Sequence, residues 1–188
     1  MKIIDRLLED KIHISFEVFP PKTDAGYEKV RSATEQIAGL HPSYISVTYG
    51  AGGGTSKNTA KIASYIRDEL GVESLAHLTC ASSTKAEVQT VIENLKALGI
   101  ENILALRGDI PEGMVFPSED RYHYAYELVE AIRRSGDFCI GAACYPEGHV
   151  ENEHKEDDIA YLKQKVEVSQ CIIQVKMRFR EKIYLEVT

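Results

Sequence analysis

Ionisable and polar residues recur late in the apolar runs of this sequence. Glu17 lies inside the run 12–19, flanked by Phe16 and Val18. Thr48 and Tyr49 sit in the run 44–50, and His77 and Thr79 fall late in 75–80. Arg107, Gly108 and Asp109 end the run that starts at Ile103, and Tyr145 ends 139–145, with His149 just beyond. A carboxylate buried between apolar neighbours has a raised pKa, which suits Glu17 to donating a proton. The glycine-rich stretch 50–56 precedes a helix, so its backbone N–H groups could approach a phosphate or a substrate closely. Each feature also has a plain structural reading. Glu17 could face solvent on an edge strand, Arg107 and Asp109 could form a local ion pair, and His77 could be a core histidine. His149 could be merely exposed, the glycine stretch a flexible connection, and Lys163 and Lys165 solvated charges on the last helix.

The elements that would position these residues alternate regularly. Strands are expected over 12–19, 44–50, 75–80, 103–108 and 139–145, with a sixth over 171–175. A short helix is expected over 3–8. Between the strands, Tyr27, Val30, Ile37 and Leu40 have helical spacing, and Ser56 can cap a helix that buries Ile62, Ala63, Ile66 and Leu70 and ends at Gly71. Thr84 and Glu87 have capping-box spacing ahead of Val88, Val91, Ile92 and Leu95, and Gly99 closes that helix. Further helices carry Tyr124, Leu128, Val129 and Ile132, then Ile159, Leu162 and Val166 behind Asp157 or Asp158. Such βα alternation defines an α/β fold with a parallel sheet, whose carboxyl edge is where enzymes of this class place their sites. A full (β/α)8 TIM barrel needs about 250 residues. The sheet is therefore either an open doubly wound sheet or a barrel, and a barrel of this length would be an incomplete one of five to six strand–helix units. No Gly-x-Gly-x-x-Gly follows the first strand, which argues against a Rossmann dinucleotide site.

Composition excludes several classes. The chain has 188 residues, 44% hydrophobic, and a formal net charge of −7, which suits one globular domain and opposes a phosphate-gripping nucleic-acid surface or a polybasic membrane patch. No apolar run approaches a membrane span, and the N-terminus turns charged too early for a signal peptide, so a cytoplasmic address is expected. Cys80, Cys139, Cys144 and Cys171 form no Cys-x-x-Cys pair, and no metal site is expected. Cys139 and Cys144, five apart on one strand, would sit on opposite faces and could not bridge.

Several motifs resemble those of methylenetetrahydrofolate reductases, in the same order. They are Phe16-Glu17-Val18-Phe19-Pro20-Pro21-Lys22, Val47-Thr48-Tyr49-Gly50-Ala51-Gly52-Gly53, His77-Leu78-Thr79-Cys80, Ala105-Leu106-Arg107-Gly108-Asp109 and Tyr145-Pro146-Glu147-Gly148-His149. The resemblance spans about residues 12–167. It implies a flavin-carrying barrel, with FAD as cofactor, that reduces 5,10-methylenetetrahydrofolate to 5-methyltetrahydrofolate at the expense of NADH or NADPH. It further implies that Glu17 is the general acid protonating the leaving nitrogen, and that Asp109 is the carboxylate between flavin and folate. Flavin contacts are implied at Thr48, Tyr49, His77, Arg107, Gly108, Asp109, Ala125, Tyr145, His149, Asp158 and Lys165, with Thr48 also reaching nicotinamide. Glu17, Asp109 and Gln174 are the implied substrate contacts.

The resemblance departs after the last helix. Gln174 stands in for the family's folate- and nicotinamide-contacting glutamine in a different context, and residues 168–188 form an atypical tail rich in Lys, Arg and Glu. The expectation is a single truncated catalytic barrel domain over 1–188, from a frameshifted or shortened gene. It would bind FAD weakly or not at all, turn nothing over, and present strand edges prone to oligomerisation. A phosphate-binding barrel aldolase or isomerase using the 50–56 loop is the rival from another enzyme class.

Overall fold

A computed structural model describes residues 1–21, 26–49, 56–144, 155–168 and 171–175. Six strands form one parallel sheet in the order β1-β2-β3-β4-β5-β6: β1 (Ser15–Val18), β2 (Tyr44–Val47), β3 (Ser74–Thr79), β4 (Asn102–Leu106), β5 (Cys139–Cys144) and β6 (Cys171–Val175). The helices are α1 (Ile3–Leu7), α2 (Tyr27–Ala38), α3 (Ser56–Asp68), α4 (Lys85–Ala97), α5 (Ala125–Ser135) and α6 (Lys155–Val168). Neighbouring strands pair in chain order throughout, with no reversal of direction. A doubly wound sheet reverses at a switch point and carries helices on both faces. Here one buried cluster joins Val18, Ile45, Val47, Ala76, Leu78, Ile103, Ala105 and Ile140 to the apolar faces of α2, α3, α4 and α5, so these four helices cover one face only. That is singly wound barrel architecture. Among the described residues β1 and β6 do not pair with each other, and the sheet stays open.

The other face looks inward. Register places Glu17 opposite Ser46, Ser46 opposite Leu75, and His77 opposite Leu104, so these residues share the inner face. Its amino-terminal half is apolar and is closed by α1, whose Ile3 is buried with Leu75, Leu104 and Cys139. The Asn102 side chain fixes this plug. Its Oδ1 accepts from Ile3 N–H at 2.8 Å, and its Nδ2 donates to the carbonyls of Met1 at 3.2 Å and Ser74 at 3.3 Å.

Local signals explain the helix ends. Thr84 and Glu87 form the expected capping box, with Glu87 N–H donating to Thr84 Oγ1 at 3.2 Å and Thr84 N–H to Glu87 Oε2 at 2.7 Å. These bonds hold the Glu87 carboxyl below the usual carboxylate range. Two expectations need correction. β1 is half the expected length, because it is an edge strand paired only at 15–18, and Ile12 is 90% exposed. Tyr124 precedes α5 instead of lying on it, and it is exposed. Ile159 lies on α6 as expected, and it is exposed.

Candidate functional site

The carboxyl ends of β1 to β4 bring several of the singled-out residues to one side of the sheet. Glu17 projects from β1 onto the inner face, where Ser46 Oγ donates to its Oε2 at 3.3 Å and His77 Nε2 lies 3.4 Å from the same oxygen. Its side chain is 39% exposed, whereas His77 is only 4% exposed. Burial of Glu17 between Phe16 and Val18 is therefore not what the structure shows. Both neighbours point to the opposite face, as strand alternation requires, and an edge strand leaves the inner side of Glu17 open. His77, by contrast, is a buried histidine facing a carboxylate.

Thr48 and Tyr49 follow β2 directly, both half-buried. Thr48 N–H donates to the Val18 carbonyl at 3.0 Å, and Thr48 O accepts from Thr59 Oγ1 at 2.9 Å, tying the start of α3 to the strand end. Tyr49 packs against the helix-side core, away from Glu17. After β4, the carbonyl of Arg107 accepts from the N–H groups of Cys80 at 3.1 Å and Ala81 at 2.9 Å, which clamps the ends of β3 and β4 together. Gly108 follows with φ +79°, and a Cβ there would lie 2.8 Å from Thr79 Cβ. Only glycine meets both conditions, so the backbone beside Thr79 carries no side chain. Asp109 is exposed at the rim.

Ala125 is the buried first residue of α5, whose entry is fixed by the Glu127 carboxylate accepting from the N–H groups of His123 at 2.6 Å and Tyr124 at 2.8 Å. Asp158 and Lys165 lie on α6, which docks on α5 through the stacked rings of Tyr124 and Tyr161, 5.0 Å apart. Lys163, on the same helix, is exposed. Gln174 pairs in register with Ala143 on β5. Tyr145, His149 and the glycine stretch 50–55 lie outside the described residues. Among the described residues no group of three or more His, Cys, Asp or Glu side chains is placed to hold a metal, and no helix is long and apolar enough to cross a membrane. Cys80, Cys139 and Cys144 are free thiols. Burial pushes the Cys80 thiol up to about 12 and raises that of Cys139.

Ser46 is the participant that motif reading passed over. For Ser46 the signal was available, since it sits two residues before Thr48 just as His77 sits two before Thr79.

A parallel sheet wound in one direction, with polar side chains gathered at its carboxyl edge, defines a TIM-barrel-type α/β domain. Solved structures agree on the fold. That of 2,3-dimethylmalate lyase superposes with a TM-score of 0.63 at 9% identity, covering 94% of this chain and 64% of that one. Phosphonopyruvate hydrolase gives 0.62 at 11% identity, covering 94% and 62%. Sequence comparison narrows the class. Residues 2–187 match the methylenetetrahydrofolate reductase family, and the chain belongs to it. The match extends on both sides beyond the stretch that carries the quoted motifs. The 5,10-methylenetetrahydrofolate reductase of Escherichia coli K12 is 35% identical over 183 residues, covering 93% of this chain and 60% of that protein. Methylenetetrahydrofolate reductase (NADH) 1 of Zea mays is 35% identical over 203 residues, covering 99% and 34%. The chain thus spans about 60% of the length of the bacterial relatives it matches.

Proposed function

We propose that this chain carries the proton-donating and flavin-binding part of a cytoplasmic methylenetetrahydrofolate reductase, which uses NADH or NADPH to reduce 5,10-methylenetetrahydrofolate to 5-methyltetrahydrofolate. The observation that carries the reading is Glu17 on the inner face of a family member's sheet, beside Ser46 and His77 and on the same edge as Thr48, Arg107, Gly108 and Asp109. The substrate is the one in the relatives' names, and the maize relative's name specifies NADH.

The donor set suits FAD. The Arg107 guanidinium and Thr48 hydroxyl are hydrogen-bond donors at the strand ends, fit for phosphate and ring carbonyl oxygens, and Gly108 leaves the backbone bare beside Thr79. Bound FAD supplies a hydride carrier that accepts from the nicotinamide and gives to the folate. The residues do the remaining work. Glu17 holds a proton for the leaving nitrogen of the folate ring, and Asp109 is the carboxylate at the cofactor–substrate boundary. His77, Tyr49, Ala125, Asp158 and Lys165, with Tyr145 and His149, complete the cofactor contacts. Gln174 completes the substrate contacts.

The test separates the half-reactions. After FAD titration, NADH–menadione turnover and the folate half-reaction are measured for the native chain and for Glu17→Gln. The substitution lowers the folate step by about 100-fold or more, the scale of general acid catalysis, and leaves NADH oxidation near the native rate. Equal loss in both steps refutes the role of Glu17. The open sheet favours a second reading, in which the 188-residue chain alone binds FAD weakly and turns nothing over, because catalysis needs the cofactor and substrate groups held together. Robust menadione turnover by the chain alone overturns that reading.

A further inference from the structure

We infer that Ser46 and His77 are positioning residues for Glu17, which anchor its Oε2 and leave Oε1 to carry the proton outward. This rests on the reading of Glu17 as proton donor and adds the means by which it is held.

A glutamate on an edge strand with 39% of its side chain exposed is less constrained by packing than a core residue. Two contacts add to that packing, and both fall on one oxygen. Ser46 Oγ donates to Oε2 at 3.3 Å, and His77 Nε2 lies 3.4 Å from Oε2. They come from different strands, β2 and β3, on the same inner face. Ser46 is itself 5% exposed and His77 4% exposed, so both are set by the sheet. Ser46 Oγ, which also lies 3.4 Å from the Phe16 carbonyl, and His77 Nε2 both approach Oε2, which leaves Oε1 as the oxygen without these neighbours. General acid catalysis needs a positioned donor, because a misplaced one loses rate steeply.

The pair is also electrostatic. A carboxylate favours the imidazolium form of a histidine close to it, and here it acts against the burial that favours the neutral ring. Around His77, β1 presents Glu17, β2 presents Ser46, and β4 presents Leu104 in register, with Arg107 and Asp109 at the β4 end. Glu17 is the carboxylate in contact with Nε2. When Glu17 gives up its proton, the imidazole and the Ser46 hydroxyl receive the carboxylate that remains.

The experiment reads His77 directly, by long-range 1H–15N NMR of the full chain across pH, with the His77 signal assigned by its loss in His77→Gln. Glu17→Gln removes the carboxylate that His77 faces once Glu17 has given up its proton, and it lowers the His77 midpoint by about one unit, the ordinary scale for loss of one adjacent charge. Ser46→Ala lowers it by less, and Ser46→Thr, which restores the hydroxyl, returns it to the native value. Far-UV circular dichroism confirms that each variant is folded. An unchanged midpoint in folded Glu17→Gln overturns the inference. So does a Ser46→Thr variant that behaves like Ser46→Ala. The folate half-reaction separates the two levels. If Glu17→Gln abolishes it while the midpoint stays fixed, the proton-donor reading stands and the anchoring fails. If the midpoint moves and the folate step does not, the anchoring stands and the proton-donor reading fails.

Discussion

At Gly108 two independent constraints meet, a left-handed backbone and a side chain already in the space a Cβ would take. Gly108→Ala is expected to destabilise the fold by about 1–3 kcal/mol, the cost of holding a non-glycine residue in a sparsely populated region, plus whatever Thr79 must move. Chemical denaturation checks this, and a loss under half of the lower bound would show that the strand ends relax. Cys80 gives a second expectation, in pH. Burial, the chief cause, pushes its folded-state thiol up to about 12 from an ordinary value of 9.0. The unfolded chain therefore loses this proton first as pH rises, and between 9 and 12 the native state binds more protons than the unfolded state. Stability should fall across that window with a slope of at most about 1.4 kcal/mol per pH unit, and Cys80→Ala should flatten the slope in alkaline denaturation curves. At this scale motif spacing was enough to mark Glu17, His77 and Gly108. It could not give their environments. Whether Glu17 is covered depends on which strand lies at the sheet edge, and that is a property of the whole sheet. Ser46 was missed although its spacing from Thr48 matches that of His77 from Thr79, because a serine inside a β-branched run reads as filler until register sets it opposite Glu17.

Each helix has its own reason to form, but α1 forms only because the inner face accepts it. Five residues are too few for a helix to persist alone. Ile3 is 1% exposed against Leu75, Leu104 and Cys139, and Asn102 joins α1 to β3 through three hydrogen bonds. Asn102 is itself 2% exposed, so Asn102→Ala strands the buried Ile3 N–H and loses a partner of the buried Ser74 carbonyl, while the Met1 carbonyl lies in a part-buried position. The expected cost is about 1–3 kcal/mol for each group that water cannot reach. Hydrogen exchange should show α1 opening separately, with Ile3 and Ile4 amides losing protection before those of β4. Uniform loss across the sheet would mean that α1 and the strands form one cooperative unit. The alternation of strands and helices was legible because a parallel sheet covered by helices needs apolar strands at regular intervals, and the sixth strand falls at 171–175 as expected. The choice between barrel and doubly wound sheet was legible only through the motif resemblance, since local periodicity is the same in both. Strand order decided it.

Among the described residues the sheet has two edges, and the segments flanking β1 expose apolar side chains. β1 bonds to β2 along one side, while Ile12, Ile14 and Phe19 around it are 90%, 59% and 67% exposed. Leu8 and Leu40, from the segments before β1 and after α2, are also exposed, at 76% and 66%. Natural sheets protect such edges with charge, proline or a covering element, because unpaired N–H and C=O groups beside apolar side chains recruit another chain. Here Pro20 and Pro21 follow β1, but they protect only its carboxyl end. The chain is therefore expected to self-associate as concentration rises through the micromolar range and beyond. Light scattering coupled to size exclusion should show a mass above the monomer's 21.0 kDa that grows with loading. Ile12→Lys with Ile14→Lys should return the mass to the monomer value. Both residues precede β1, and Ile14 O, which accepts from Ser43 N–H at 2.8 Å, is a backbone group that the substitution keeps. The pairing of β1 with β2 thus survives, and any change in mass reports on the edge alone. A native chain that stays monomeric at every loading would show that this edge is shielded in solution. An associated chain that the two lysines leave unchanged would place the contact elsewhere on the sheet.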